Sequence, residues 1–239
     1  MAERLSVRIF PRVVTISKII PSGCRFEISS DMESFRIESY GNEEEFTTML
    51  IQEIRAGDIV FDIGACVGLV SVHAAKKDVM VYSFEPDPYY RSRLTNNMRL
   101  NGLDNVNVIE WAVSDHAGQA TLFTDGENGN SPSLRKIGER GSVMVKTDSI
   151  DKAIHRGDIP IPSVIKLDIE GAEILALRGM QELLIANHSP RAIFMEVHPD
   201  FLRYFGSSEK EIEDMMFQCG YTLDYKIDRS NQFHCVYRK

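Results

Sequence analysis

Two rhythms of apolar residues alternate along most of this chain. Short runs rich in apolar residues at Ile59-Val60-Phe61, Val79 to Phe84, Val106 to Val113, Val164 to Leu167 and Ala192 to Val197 read as strands, Val164 to Leu167 as a buried one. Between them lie segments with helical spacing: Phe46 to Ile54, Leu69 to Lys76, Tyr89 to Asn101 and Ala172 to Ile185. Gly57-Asp58 punctuates the chain before the first of these strands, and Gly102 stops the helix ahead of it. A further helix is expected over Glu209 to Gln218. Tyr221 to Ile227 and Phe233 to Tyr237, a few residues apart, read as a hairpin. Upstream, Val13-Val14-Thr15-Ile16 and Phe35-Arg36-Ile37-Glu38 alternate and predict a small β element over residues 1–45, with the main domain over 46–239. The polar, Gly-rich stretch Thr124 to Gly141 reads as a loop or flap.

Strands alternating with helices predict an α/β domain, a mostly parallel sheet with helices on both faces. In such sheets ligands sit beyond the carboxyl ends of the strands. The residues just after each strand therefore carry the chemistry. After the first strand comes Phe61-Asp62-Ile63-Gly64-Ala65-Cys66-Val67-Gly68, a carboxylate followed by a glycine turn into a helix. A dinucleotide fingerprint needs Gly-x-Gly-x-x-Gly, and Cys66 and Leu69 break it, which disfavours a nicotinamide-dependent oxidoreductase. Asp62 would repel a pyrophosphate and suits a ligand with a positive charge, such as an ammonium or sulfonium. The plain alternative is a tight turn without a ligand. Glu85 ends the next strand, at the spacing where a carboxylate accepts hydrogen bonds from both hydroxyls of a ribose. The plain alternative there is a solvated strand-end glutamate.

Composition narrows the class. The chain has 239 residues, 43% hydrophobic and 26% charged, with a formal net charge of -8. That length supports one sizeable domain. The acidic balance argues against nucleic acid as the main partner, because phosphate contacts call for a basic face. No apolar run approaches the roughly 20 residues of a membrane helix, and the N-terminus lacks the apolar core of a signal peptide. Four widely spaced cysteines show no metal-binding spacing and read as free thiols of a cytoplasmic protein.

The glycine loop, Ser83-Phe84-Glu85-Pro86-Asp87-Pro88, Asn101-Gly102-Leu103, Ala112-Val113-Ser114-Asp115 with Gly118, Ile165-Lys166-Leu167-Asp168-Ile169-Glu170-Gly171-Ala172-Glu173, Leu177-Arg178-Gly179 and Glu196-Val197-His198-Pro199 together resemble the FkbM-type family of S-adenosylmethionine-dependent methyltransferases. The resemblance spans residues 57–200, and the Lys-x-Asp-x-Glu-Gly-Ala-Glu run is its most specific part. It implies the class I methyltransferase (Rossmann-like) fold, a seven-stranded mostly parallel sheet whose final hairpin inserts one antiparallel strand. It implies S-adenosyl-L-methionine as cofactor. Asp62, Gly64, Ala65 and Gly68 would border its methionine part, Glu85 its ribose, and Trp111 and Ala112 its adenine. It also implies a small-molecule hydroxyl acceptor: a sugar, a polysaccharide unit or a natural product. The family often has asparagine where this chain has Cys66, which removes an amide from the loop while leaving its backbone geometry untouched.

Methyl transfer is a direct displacement, and a hydroxyl acceptor needs a base to take its proton. Lys166, Asp168 and Glu170 alternate at the end of an apolar strand and share one face if the strand persists. Asp168, Glu170, Glu196 and His198 are the candidate bases, with His198 titrating near neutrality. Lys166 reads either as part of the site or as a structural ion-pair partner of Asp168 or Glu170, and Glu173 as first-turn helix charge. Asp168 with Glu196 or His198 also offers the oxygen and nitrogen donors that a divalent metal accepts. A non-catalytic binding module of the same fold is the third reading. The N-terminal element would shape either the acceptor pocket or a contact in an oligomer.

Overall fold

A computed structural model describes residues 9–40, 43–124, 131–136 and 141–239. Its centre is a seven-stranded sheet in the order β11-β12-β10-β9-β3-β4-β5. These strands are β3 (Ile59–Ile63), β4 (Met80–Phe84), β5 (Val106–Ile109), β9 (Val164–Leu167), β10 (Ala192–Val197), β11 (Thr222–Asp228) and β12 (Phe233–Arg238). All run parallel except β12, which pairs antiparallel with β10 and β11. This is the class I methyltransferase arrangement expected above. The C-terminal hairpin therefore inserts its second strand between β10 and its own first strand.

Alternation along the strands builds two apolar layers. Phe61 and Ile63 of β3 and Ile165 and Leu167 of β9 face one side. They pack there on α5 (Ile150–His155), α6 (Glu173–Arg178), α7 (Gln181–Ile185) and α9 (Glu209–Gln218). Val60 and Val81 face the other side and pack on α3 (Leu69–Ala75) and α4 (Pro88–Leu100). On that side too, α2 (Glu44–Glu53) sets Phe46 and Leu50 against Val164, Phe194 and Val236. Helices thus cover both faces.

The structure corrects several of these expectations. Phe35-Arg36-Ile37-Glu38 is the end of helix α1 (Asp31–Glu38), not a strand. Ser30 caps that helix by accepting the Glu33 N–H, and acidic residues occupy its first turn. The β element before it is β1 (Arg12–Ile16) paired antiparallel with β2 (Cys24–Ile28). The run Val106 to Val113 divides: after β5, Glu110 and Trp111 intervene. Then β6 (Ala112–Val113) joins β7 (Gly118–Thr124) and β8 (Gly141–Asp148) in a separate three-stranded sheet. The helix expected over Ala172 to Ile185 breaks at Gly179, where a Cβ would stand 2.0 Å from the Ser114 carbonyl oxygen. Of the loop Thr124 to Gly141, residues 125–130 and 137–140 lie outside the described residues. Within it Ser133 exchanges backbone hydrogen bonds with Phe123, extending the small sheet's edge.

The N-terminal segment packs on α4. Arg93 of α4 holds buried Glu33 of α1 through paired contacts at 2.9 and 3.0 Å, and Asn97 accepts the Glu27 N–H at 2.9 Å. These ties bring α1 over the carboxyl end of the main sheet.

Candidate functional site

The carboxyl ends of β3, β4, β9 and β10 open into a cavity of ≈680 Å³, within the range of small-molecule sites. Its floor follows from strand register. Asp62 in β3 lies opposite Ser83 in β4 and Lys166 in β9, so their side chains share one face. Ser71 of α3 closes the row: its hydroxyl donates to Asp62 Oδ2 at 2.5 Å and contacts Ser83 Oγ at 2.7 Å. Lys166 Nζ donates to the Gly64 carbonyl at 2.8 Å and pairs with Asp168 Oδ2 at 3.1 Å and Asp62 Oδ1 at 3.6 Å. Burial works against the charge on Lys166, but Asp168 and Asp62 outweigh it and hold the ammonium above its ordinary value. The lysine therefore ties the glycine loop to the end of β9.

The loop itself demands unusual backbone. Gly64 has φ +83°, and a Cβ there would lie 1.9 Å from the Asp168 carbonyl oxygen. Cys66 also has φ +51°, a conformation that asparagine tolerates far better than cysteine. The replacement of the family's asparagine thus does bear on backbone geometry. The Cys66 N–H donates to Glu85 Oε2 at 2.7 Å and the Asp87 N–H to Oε1 at 2.9 Å, which fixes the Glu85 carboxyl at the cavity wall. Burial pushes Glu85 up to about 7 despite these two donors, and pushes the Cys66 thiol up to about 12.

A second cluster stands at the ends of β9 and β10. Glu196 lies directly across from His234 of β12, and its Oε2 meets His234 Nε2 at 3.0 Å. Gln232 donates to its other oxygen. His198, almost wholly buried, sets Nε2 3.3 Å from Glu196 and 3.5 Å from Glu170, and Nδ1 3.5 Å from Glu173. Burial alone would lower the His198 pKa; Glu173, Glu196 and Glu170 raise it instead, to about 11. The three carboxylates around the imidazole thus favour its protonated form. Burial opposes ionisation of Glu196, but His198 and His234 hold it far below the usual carboxylate range. Asp168 keeps 27% of its side chain open to the cavity. Burial, with Glu196 and Glu170 near it, raises its pKa against the pull of Lys166.

Of the residues singled out in the sequence, Asp62, Gly64, Ala65, Glu85 and Ala112 line this one cavity, as do Lys166, Asp168, Glu170, Glu196 and His198. Gly68 and Trp111 do not. Gly68 caps α3 where a Cβ would strike Leu94 of α4. Trp111, partly buried, packs edge-on against Phe84 of the core, with ring centroids 5.0 Å apart. Glu173, which reads in sequence as solvated helix charge, is fully buried: its Oε1 accepts the Gly171 N–H at 2.9 Å and faces His198. Glu43, His234, Arg36 and Arg135 also belong to the neighbourhood and carry no local sequence signal. Asp168, Glu170 and His198 bring one ligand atom each within 4.8 Å of one another, as do Glu43, Glu196 and His234. Either trio has the donor set of a divalent cation.

Comparison with known proteins matches residues 62–223 to the Methyltransferase FkbM domain. Over 220 residues the chain is 26% identical to the hexuronic acid methyltransferase AglP of Haloferax volcanii, covering 91% of this chain and 86% of that protein. Its fold is similar to a precorrin-6y C5,15-methyltransferase of Geobacter metallireducens, with a TM-score of 0.51 and 12% identity, covering 82% of this chain and 88% of the other. A precorrin-8w decarboxylase of Methanobacterium thermoautotrophicum is similar at a TM-score of 0.50 and 17% identity, covering 82% and 89%.

Proposed function

Because the chain belongs to the FkbM methyltransferase family, we propose that it binds S-adenosylmethionine at the strand ends and methylates an oxygen of a sugar. The observation that carries this reading is the single cavity into which Glu85 and Asp168 both face. The residues fit the cofactor. Asp62 Oδ1 is buried without a hydrogen bond, an acceptor suited to a cationic ligand, and the Glu85 carboxyl is held ready for ribose hydroxyls. Ala65 and Ala112 line the cavity, where they would border the methionine and adenine parts of the cofactor. S-adenosylmethionine supplies a methyl group activated by its sulfonium.

The chain's own residues do the rest. Asp168 takes the proton of the acceptor hydroxyl, its raised pKa matching a base that works near neutrality. Lys166 holds that carboxylate in place at 3.1 Å. Protonated His198 supplies a counter-charge beside Glu170, Glu196 and Glu173. The relative from Haloferax volcanii acts on a hexuronic acid by its name, which supports a sugar as acceptor here. A net charge of -8 favours a small molecule over a nucleic acid. No helix among the described residues is long and apolar enough to cross a membrane. All four cysteines are free thiols, which supports a cytoplasmic site of action.

The test is a transfer assay with methyl-labelled S-adenosylmethionine and a panel of uronic and neutral oligosaccharides, with S-adenosylhomocysteine formation read in parallel. Label is expected in the sugar, in an ether that survives mild alkali. An alkali-labile ester would remove the need for Asp168 as base, since a carboxylate carries no proton to take. Binding without any turnover across the panel would favour a non-catalytic module. The rate is expected to be unchanged by EDTA; loss restored by Mg²⁺ or Mn²⁺ would turn Asp168, Glu170 and His198 into a metal site.

A further inference from the structure

Arg135 differs from the other arginines that line the cavity, for Arg36 bonds Tyr90 and Ser131 and Arg229 pairs with Glu43. Arg93 pairs with Glu33, Arg191 with Glu53 and Asp58, and Arg178 with Glu211, each at 2.9 Å or less. Among the described residues no carboxylate lies within ion-pair distance of Arg135, and its Nε is buried with no hydrogen-bond partner. Yet it lines the wall of an acid-rich cavity.

Its placement is also fixed. The Arg135 N–H donates to Ser133 Oγ at 3.1 Å, and that hydroxyl donates to the Glu170 carbonyl at 3.3 Å. The guanidinium carbon lies 3.8 Å from the centre of the Phe201 ring and 4.7 Å from that of Tyr204. Phe201 in turn stacks parallel to His198, with centroids 5.3 Å apart. Cation–π contact with the two rings holds the guanidinium and uses none of its N–H donors. Arg135 lines the same cavity as Asp168, Glu170 and His198.

We propose that Arg135 binds the carboxylate of the acceptor, so that the enzyme selects acidic sugars, hexuronates, over neutral ones. The proposal rests on the methyltransferase reading of the same cavity. A planar, restrained guanidinium matches a carboxylate with two parallel N–H···O bonds. It gives the acceptor one anchored end while the rest of the ring lies toward Asp168. The surrounding carboxylates sharpen the choice, since an anion is tolerated in this cavity only where a cation meets it.

The experiment is calorimetric titration of the protein saturated with S-adenosylhomocysteine, using glucuronate and galacturonate disaccharides, their neutral glucose and galactose counterparts, and glucose 1-phosphate. The uronates are expected to bind at least tenfold more tightly than the neutral sugars, with affinity falling as salt is raised. Arg135→Gln is expected to remove that preference, a loss of about 10- to 100-fold for a charge-assisted pair. Arg135→Lys restores the charge without the planar fork and recovers only part of it. S-adenosylhomocysteine affinity unchanged in both variants shows that they remain folded. Uronates binding no better than neutral sugars, or an Arg135→Gln protein with the wild-type preference, overturns the proposal. Tighter binding of glucose 1-phosphate than of the uronates overturns the carboxylate assignment in favour of phosphate. Failure of S-adenosylhomocysteine itself to bind strikes the methyltransferase reading instead.

Discussion

Glu85 shows how a single side chain couples cofactor binding to pH. In the free protein its burial holds the carboxyl near pKa 7, whereas ribose hydroxyls bind best to the ionised form. Below pH 7 the group must first lose a proton, so the dissociation constant for S-adenosylmethionine is expected to rise about tenfold for each pH unit. Glu85→Gln should weaken binding about 10- to 100-fold and flatten that profile; calorimetry from pH 5.5 to 8 reads both effects. A wild-type affinity constant over this range would take Glu85 out of the site. Asp168→Asn keeps the shape of the cavity and its contact with Lys166 but removes the base. It is expected to lower kcat by about 10²- to 10⁴-fold while the cofactor's dissociation constant stays within a few-fold, and single-turnover kinetics on the true acceptor decide. These two carboxylates are legible in the sequence because each follows directly on a strand, and Asp62 because it lies near the end of one, ahead of the glycine turn. Glu173 and Arg135 are not. Their significance comes from His198 and Phe201, which reach them only through the packing of β10 and the helix after it, and no local pattern records that.

At the scale of elements, the strands and helices of the main sheet can be read from periodicity because each buries one face against another layer. The failures have particular causes. Phe35 and Ile37 alternate as a strand would, yet the Ser30 cap and the acidic first turn belong to a helix, and in so short a segment the capping signal decides. The run Val106 to Val113 is mostly apolar but changes sheets after Ile109, where one polar residue, Glu110, is too weak a signal to mark the break. The hairpin of β7 and β8 is half-exposed and rich in polar residues, and its alternation is correspondingly faint. The glycine loop, by contrast, declares itself, and its reason is structural as much as chemical. Gly64→Ala would force a Cβ to within 1.9 Å of the Asp168 carbonyl oxygen at a positive φ, pushing the loop away from β9. A destabilisation above about 2 kcal/mol is expected, measured by urea unfolding, together with loss of S-adenosylhomocysteine binding. A variant with native stability would mean that the loop moves freely with respect to β9, and that Lys166 is not what joins them.

For the whole molecule, the charges of the cavity and those of the scaffold oppose each other in pH. Glu85 stands near 7 when folded, against its ordinary 4.5. As pH rises from about 4.5 to 7 the unfolded chain ionises this group while the folded chain resists, and roughly 3 kcal/mol of stability is lost. Asp168 and Glu43 are raised as well, in each case by burial first, and act in the same direction. His198 adds to the trend from the other side: raised to about 11 from 6.5, it stabilises fully below 6.5 and less and less above that. Far from the cavity, Glu53 and Asp58 are lowered by their bonds to Arg191 and Arg238, and burial does not overcome this. Their contribution is complete above the ordinary carboxylate range and disappears as pH falls through their folded values. The ligand-free protein is therefore most stable near pH 5, between the two sets, and the Glu85 contribution alone should lower Tm by roughly 6–12 °C on going to pH 8 for a chain of this size. Ligand reverses the slope. Binding strengthens as Glu85 ionises, and at 100 times the dissociation constant it adds about 2.7 kcal/mol. The rise in Tm caused by a fixed concentration of S-adenosylhomocysteine should accordingly grow from pH 6 to 8 while the ligand-free Tm falls. Thermal melts across that range, with and without the ligand, separate the possibilities: a ligand-free Tm that climbs toward pH 8 would mean that these carboxyls are already ionised in the folded protein and that the cavity is poised by some other cation.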